Sequence, residues 1–84
     1  MRTFLLNIST PDGSMFSGEA VMLTVRGLEG DLAVLAGHVP FITTVKPCNV
    51  KVVLLDGTEK ISHSDGGLLT VGTDGVTLLG SFNW

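Results

Sequence analysis

The chain has 84 residues, of which 44% are hydrophobic and 15% charged, with a net charge of −3. That length holds one domain, residues 1–84, and the composition excludes disorder. The acidic balance excludes a basic footprint for nucleic acid or anionic lipid, and a single cysteine, Cys48, excludes an internal disulfide and a cysteine-based zinc site.

Ten Val, three Ile and nine Thr stand against three Ala. Such a β-branched bias favours pleated backbone over helix. Eleven glycines punctuate the chain, and no segment shows a 3.6-residue period. In chain order, Phe4, Leu6 and Ile8 alternate with Thr3, Leu5 and Asn7, predicting a strand that ends at a Pro11-Asp12-Gly13 turn. Met15-Phe16 predicts a short strand closed by Gly18. Val21, Leu23 and Val25 predict the next, and Gly27 and Gly30 bracket a tight loop before an apolar strand over 32–35. After a loop over 37–40, Phe41, Thr43 and Val45 predict a strand that Pro47 ends. Val50, Val52 and Leu54 lead into Asp56-Gly57, a hairpin signal, with the return over 58–64. Gly66-Gly67 is expected to break the chain. Segments 68–71 and 76–79 then predict a second hairpin around Asp74-Gly75.

Nine or so strands at a spacing of about eight to ten residues predict an all-β antiparallel sandwich or flattened barrel. Segments 32–35, 52–55 and 78–79 are apolar on both faces. One face packs the core, and the other is expected to meet another subunit. The longest apolar run, residues 32–36, is far short of a membrane span, and residues 4–6 behind Arg2 lack the length and cleavage site of a signal peptide. The chain is therefore expected in the cytoplasm, free to dock on a membrane complex without inserting.

Catalytic chemistry finds little support. Ser62, His63, Ser64 and Asp65 are adjacent, but strand neighbours point to opposite faces, so His63 cannot serve both serines. The segment reads as a polar edge strand. His38 and His63 lie in separate segments with no ligand cluster, so no metal is expected. No phosphate-binding loop is present, and Gly66-Gly67 precedes a strand instead of a helix. Cys48 has no neighbouring base and reads as a small apolar residue. The one segment that stands out runs from Leu28 to Pro40. Glu29 and Asp31 flank Gly30 at a loop tip, as either a solvated turn or an acidic knob for a positively charged partner.

Several short motifs occur in order along the chain: Pro11-Asp12-Gly13, Met15-Phe16-Ser17-Gly18, Glu29-Gly30-Asp31-Leu32, Gly37-His38-Val39-Pro40, Val45-Lys46-Pro47, Gly66-Gly67-Leu68 and Asp74-Gly75-Val76-Thr77. Their order resembles that of the N-terminal domain of the epsilon subunit of F-type ATP synthases. The family pattern reads E-G-[E/D]-L-x-[I/V]-x-P-G-H-x-P and then L-K-P-G. The resemblance covers essentially the whole chain. It implies a flattened antiparallel β-sandwich of about ten short strands. It also implies a non-catalytic place in the rotating central stalk, between the gamma subunit and the membrane ring of c subunits, on the cytoplasmic face of a bacterial membrane. By the same resemblance Glu29, Gly30 and Asp31 form the ring-facing loop, and His38, Thr43 and Thr10 face gamma. No cofactor is implied.

Departures from the family pattern are Ala36 for a proline, Cys48 for a glycine and Asp65 for a serine. Members of the family commonly continue into a C-terminal helical hairpin that restrains ATP hydrolysis and in some binds ATP. The sequence stops at Phe82-Asn83-Trp84, so neither property is expected of it. The alternative reading is a free-standing β-sandwich that binds a small ligand such as a sugar or acyl group. It needs an aromatic-lined groove, and only Phe4, Phe16, Phe41, Phe82 and Trp84 are available. A cupin-like enzyme would need a His and carboxylate cluster that the sequence lacks.

Overall fold

Eight strands make up the fold: β1 (Phe4–Thr10), β2 (Gly13–Ala20), β3 (Met22–Gly27), β4 (Gly30–Leu35), β5 (Phe41–Val45), β6 (Cys48–Val53), β7 (Glu59–Val71) and β8 (Val76–Asn83). The computed structural model describes residues 2–37 and 39–83, the last two by backbone alone, and these contain no helix. Strands pair in the order β2-β1-β8-β7-β6-β3-β4, with β5 also on β7.

The 13-residue β7 explains how one continuous sheet makes two layers. Its first half pairs with β6, from Glu59 opposite Val53 to Ser64 opposite Cys48. Its second half pairs with β5 on one side and β8 on the other. Between the halves the register against β8 shifts, from Ser64 to Gly67. Beyond that shift β8 follows β7, pairing Phe82 with Ser64 and Asn83 with His63. Inward residues of both layers belong to one core: Leu6 and Ile8 (β1), Leu23 and Val25 (β3), Val34 (β4), Val45 (β5), Val50 and Val52 (β6), Leu69 and Val71 (β7), Val76 and Leu78 (β8). Sheet residues from both ends of the pairing order share a cluster only if the sheet closes on itself. The shortest molecular dimension, 20 Å, fits two layers about 10 Å apart.

Several expectations change. Among the described residues there are eight strands instead of about ten, partly because segments 58–64 and 68–71 are one strand. Gly66-Gly67 bends that strand without ending it, and Gly18 lies inside β2. The sheet is not wholly antiparallel, since β1 and β8 run parallel from Leu6 opposite Val76 to Ser9 opposite Leu79. The supposed polar edge at 62–65 is interior. Ser62 and Ser64 are buried, and the strand is flanked by β6 and, at His63 and Ser64, by β8.

The bend depends on absent side chains. A Cβ on Gly67 would collide with the carbonyl oxygen of Leu79, and one on Gly80 with that of Gly66. Here β7 and β8 touch backbone to backbone. Ser64 Oγ accepts the Gly66 N–H at 3.1 Å and fixes the turn. Asp56-Gly57 makes the expected β6–β7 hairpin, with Leu54 N–H donating to Thr58 O at 2.8 Å. Hydrogen bonds from the Thr58 side chain and backbone N–H hold the Asp56 carboxyl below its ordinary pKa. Ser62 Oγ is buried with no hydrogen-bond partner.

Three outcomes follow for urea denaturation. Gly67→Ala should cost at least about 3 kcal/mol, because backbone must move to make room. Gly18→Ala should cost no more than about 1 kcal/mol, since the nearest atom belongs to the Phe16 ring at 3.6 Å. Ser62→Ala should leave stability unchanged or raise it by up to about 1 kcal/mol, because it removes a buried hydroxyl that bonds nothing.

Candidate functional site

The tip carrying Glu29, Gly30 and Asp31 is the turn of the β3–β4 hairpin. Gly27 pairs with Gly30, leaving Leu28-Glu29 as a two-residue loop. Gly30 sits at φ +124°, a conformation suited to glycine at such a turn. One step down, Arg26 lies opposite Asp31, and its Nε donates to Asp31 Oδ1 at 3.2 Å. Both side chains are exposed, at 58% and 76%, so the pair contributes at most about 1 kcal/mol of stability. Its effect is local: Arg26 offsets the charge of Asp31, leaving Glu29 as the unbalanced acid of the tip. Leu28, beside it, is 61% exposed.

The hairpin is anchored at its base. Lys46 N–H donates to Arg26 O at 2.8 Å, and Arg26 N–H donates to Cys48 Sγ at 3.4 Å. Thr43 stands behind the tip, with its Oγ1 3.7 Å from where a Gly27 Cβ would sit. Thr43 Oγ1 donates to Thr44 O. Thr10 is elsewhere, at the end of β1, where its hydroxyl donates to Gly13 O at 3.2 Å and accepts the Asp12 N–H at 3.1 Å. Strands β8 and β7 separate β1 from β5, and the registers put Ile8 in line with Thr43, so Thr10, two residues further on, is roughly 16 Å from Thr43 at usual strand spacing. The fold therefore gathers Glu29, Gly30, Asp31 and Thr43 and leaves Thr10 apart from them, at the β1–β2 turn. His38 lies outside the described residues.

Both outer sheet faces carry apolar side chains. Leu68 and Leu79 pair across β7 and β8, with Ile42 on neighbouring β5 68% exposed. Thr44, Thr70 and Thr77 share that face by alternation. On the other layer Leu35, Met22 and Val53 form a row across β4, β3 and β6. Sequence reasoning missed Arg26, Leu28 and Ile42. The i, i+5 placement of Arg26 and Asp31 around a two-residue turn is the signal that could have found the ion pair. Ile42 is out of phase with the inward Phe41, Thr43 and Val45.

His63 lies on the outer face, with Nδ1 3.3 Å from Asn49 Oδ1 and Nε2 3.5 Å from Asp65 Oδ1. Ser62 and Ser64 face inward, as strand alternation requires. Among the described residues, no three His, Cys, Asp or Glu side chains gather as metal ligands. An open cleft of about 430 Å³ is lined by Arg2, Glu19 and Asp74 with Phe4 as its one aromatic residue.

A fold of this kind, with the Glu-Gly-Asp turn and the Gly-Gly bend in place, can be compared with known domains. The family model of the ATP synthase delta/epsilon chain β-sandwich domain matches residues 3–81. The chain belongs to that family. Among solved structures, this delta/epsilon domain is similar to a chain in the cryo-EM structure of the Euglena gracilis mitochondrial ATP synthase, OSCP/F1/c-ring in rotational state 1. The TM-score is 0.90 at 23% identity, covering 96% of this chain and 52% of that one. It is also similar to a chain of the Tetrahymena thermophila mitochondrial ATP synthase central stalk/c-ring, with TM-score 0.80 and 11% identity over 98% of this chain and 66% of that one. The delta/epsilon domain thus spans about half to two thirds of the length of these chains. At such identities the likeness is one of fold.

Arg26→Ala should lower the unfolding free energy of the delta/epsilon domain by no more than about 1 kcal/mol, since the ion pair is exposed. The measurement is the urea midpoint at low and high salt. The small loss should disappear at high salt as the pair is screened.

Proposed function

We propose that this chain is a non-catalytic element of the rotor of an F-type ATP synthase, linking the gamma subunit to the c-ring so that ion flow and ATP synthesis are coupled. The observation that carries this reading is the delta/epsilon family match across residues 3–81. The chain seats on gamma through the outer face bearing Leu68, Leu79 and Ile42, and we assign Thr43, Thr10 and His38 to further contacts with gamma. The β3–β4 tip meets basic residues on the loops of the c-ring. Glu29 supplies the unbalanced charge, Gly30 shapes the turn, and Asp31 is held by Arg26.

The chemistry asked of the chain is mechanical. Close-packed interiors resist deformation, so a sandwich gripped on one face and keyed at one tip carries torque. No bond is made or broken on the chain, and no metal, nucleotide or other cofactor takes part. The domain lies peripherally on the membrane that carries the complex, which in a bacterial host is the cytoplasmic face.

Charge reversal tests the assignment. The double variant Glu29→Lys/Asp31→Lys should capture c-ring at least about tenfold more weakly, with circular dichroism and gamma binding unchanged, because like charges then face each other. Equal capture by the variant and the parent chain would overturn the ring-facing role.

A further inference from the structure

We infer that the unassembled chain pairs with a second copy of itself through the free edge of β4. The backbone geometry of this edge is fixed on its other side. Met22, Leu23 and Thr24 lie opposite β6, and further along the Arg26 N–H points to Cys48 Sγ and the Arg26 carbonyl to Lys46, both away from β4. Ladder bonds of an antiparallel pair alternate along each strand. Leu23, Val25 and Gly27 therefore bond Val34, Leu32 and Gly30. The N–H and C=O groups of Asp31, Ala33 and Leu35 turn away from β3, and among the described residues β4 pairs with no other strand.

Natural sheets guard such an edge with proline, lysine, a bulge or a short strand. The other two edges follow the rule. β5 has five residues and lies between Pro40 and Pro47. β2 has a register irregularity against Ile8 and Ser9 and carries the exposed Glu19. β4 lacks proline, lysine and a bulge, and its one charge, Asp31, is held by Arg26.

The edge is complementary to itself. A two-fold axis at Ala33, normal to the sheet, sets Ala33 opposite its copy and Asp31 opposite the partner's Leu35. Every donor and acceptor freed at Asp31, Ala33 and Leu35 then finds a partner. On the inner face Leu32 meets the partner's Val34. Ala33 at the axis leaves room for close approach. The two Asp31 carboxylates, four residues apart along the antiparallel ladder, stand roughly 13 Å from each other, beyond a Debye length at physiological salt. Each is already paired with Arg26 of its own chain. Antiparallel pairing on this axis leaves both Leu28-Glu29 turns free.

Sedimentation velocity on the 84-residue chain tests this. Between about 5 and 500 µM a dimer should appear, half populated on the order of 100 µM, as suits a small edge interface. Amide hydrogen exchange at Asp31, Ala33 and Leu35 should slow as concentration rises. Ala33→Lys, an exposed change that guards the edge, should stay monomeric throughout with unchanged circular dichroism. Ile42→Ser, on the opposite layer, should dimerise like the parent. A monomer at every concentration would overturn the inference, as would a dimer that survives Ala33→Lys but is lost in Ile42→Ser.

Discussion

Side chains are absent from both strands at the point where β7 and β8 leave one layer for the other. Gly67 and Gly80 bring the two backbones into contact, and a methyl group on either would overlap a carbonyl oxygen of the facing strand. Because the strands turn together, their hydrogen bonding resumes on the far side with Phe82 opposite Ser64. No separate connection is needed to close the sandwich. A chain of this size has little surface to bury. Sharing two strands between the layers places thirteen apolar side chains of the described residues in a single core. The position of β5, and with it the support behind the β3–β4 turn, depends on the second half of β7.

That support matters for the proposed rotor role. A hairpin tip transmits force only if its base does not yield. The base here is held by the Lys46 to Arg26 backbone bond, by Cys48 under the Arg26 amide, and by Thr43 packed near Gly27. Above the base, the Arg26 and Asp31 pair keeps a ladder neighbour occupied and leaves Glu29 and Leu28 to the solvent. An acidic group beside an exposed apolar one favours a partner that offers both kinds of contact, which sets orientation more than strength.

Much of this was legible in the sequence. Period-2 alternation placed Leu6, Ile8, Leu23, Val25, Val50 and Val52 inward, and all are buried. Asp56-Gly57 and the Gly27 to Gly30 loop gave their hairpins because turn chemistry is local. The long-range features were harder to see. Glycine pairs usually mark a break, and only the contact with Gly80, thirteen residues away, makes Gly66-Gly67 a bend. The buried Ser62 and Ser64 read as polar edge residues because hydropathy carries no information on which neighbour covers a strand. Parallel pairing of β1 with β8 joins segments some 70 residues apart in sequence, which no local pattern encodes. The acidic tip was visible as composition, but its partial neutralisation by Arg26 required the register of the turn.

The parallel contact between the first and last strands has a mechanical consequence. Tension applied between the two ends of the chain would draw β1 and β8 in opposite directions along their common axis. The rungs from Leu6 to Ser9 and from Val76 to Leu79 would then be loaded at once, in shear, and could not be unzipped singly from one end. Strands that yield only together resist stretching far better than a hairpin peeled from its tip, a property that suits the proposed rotor role.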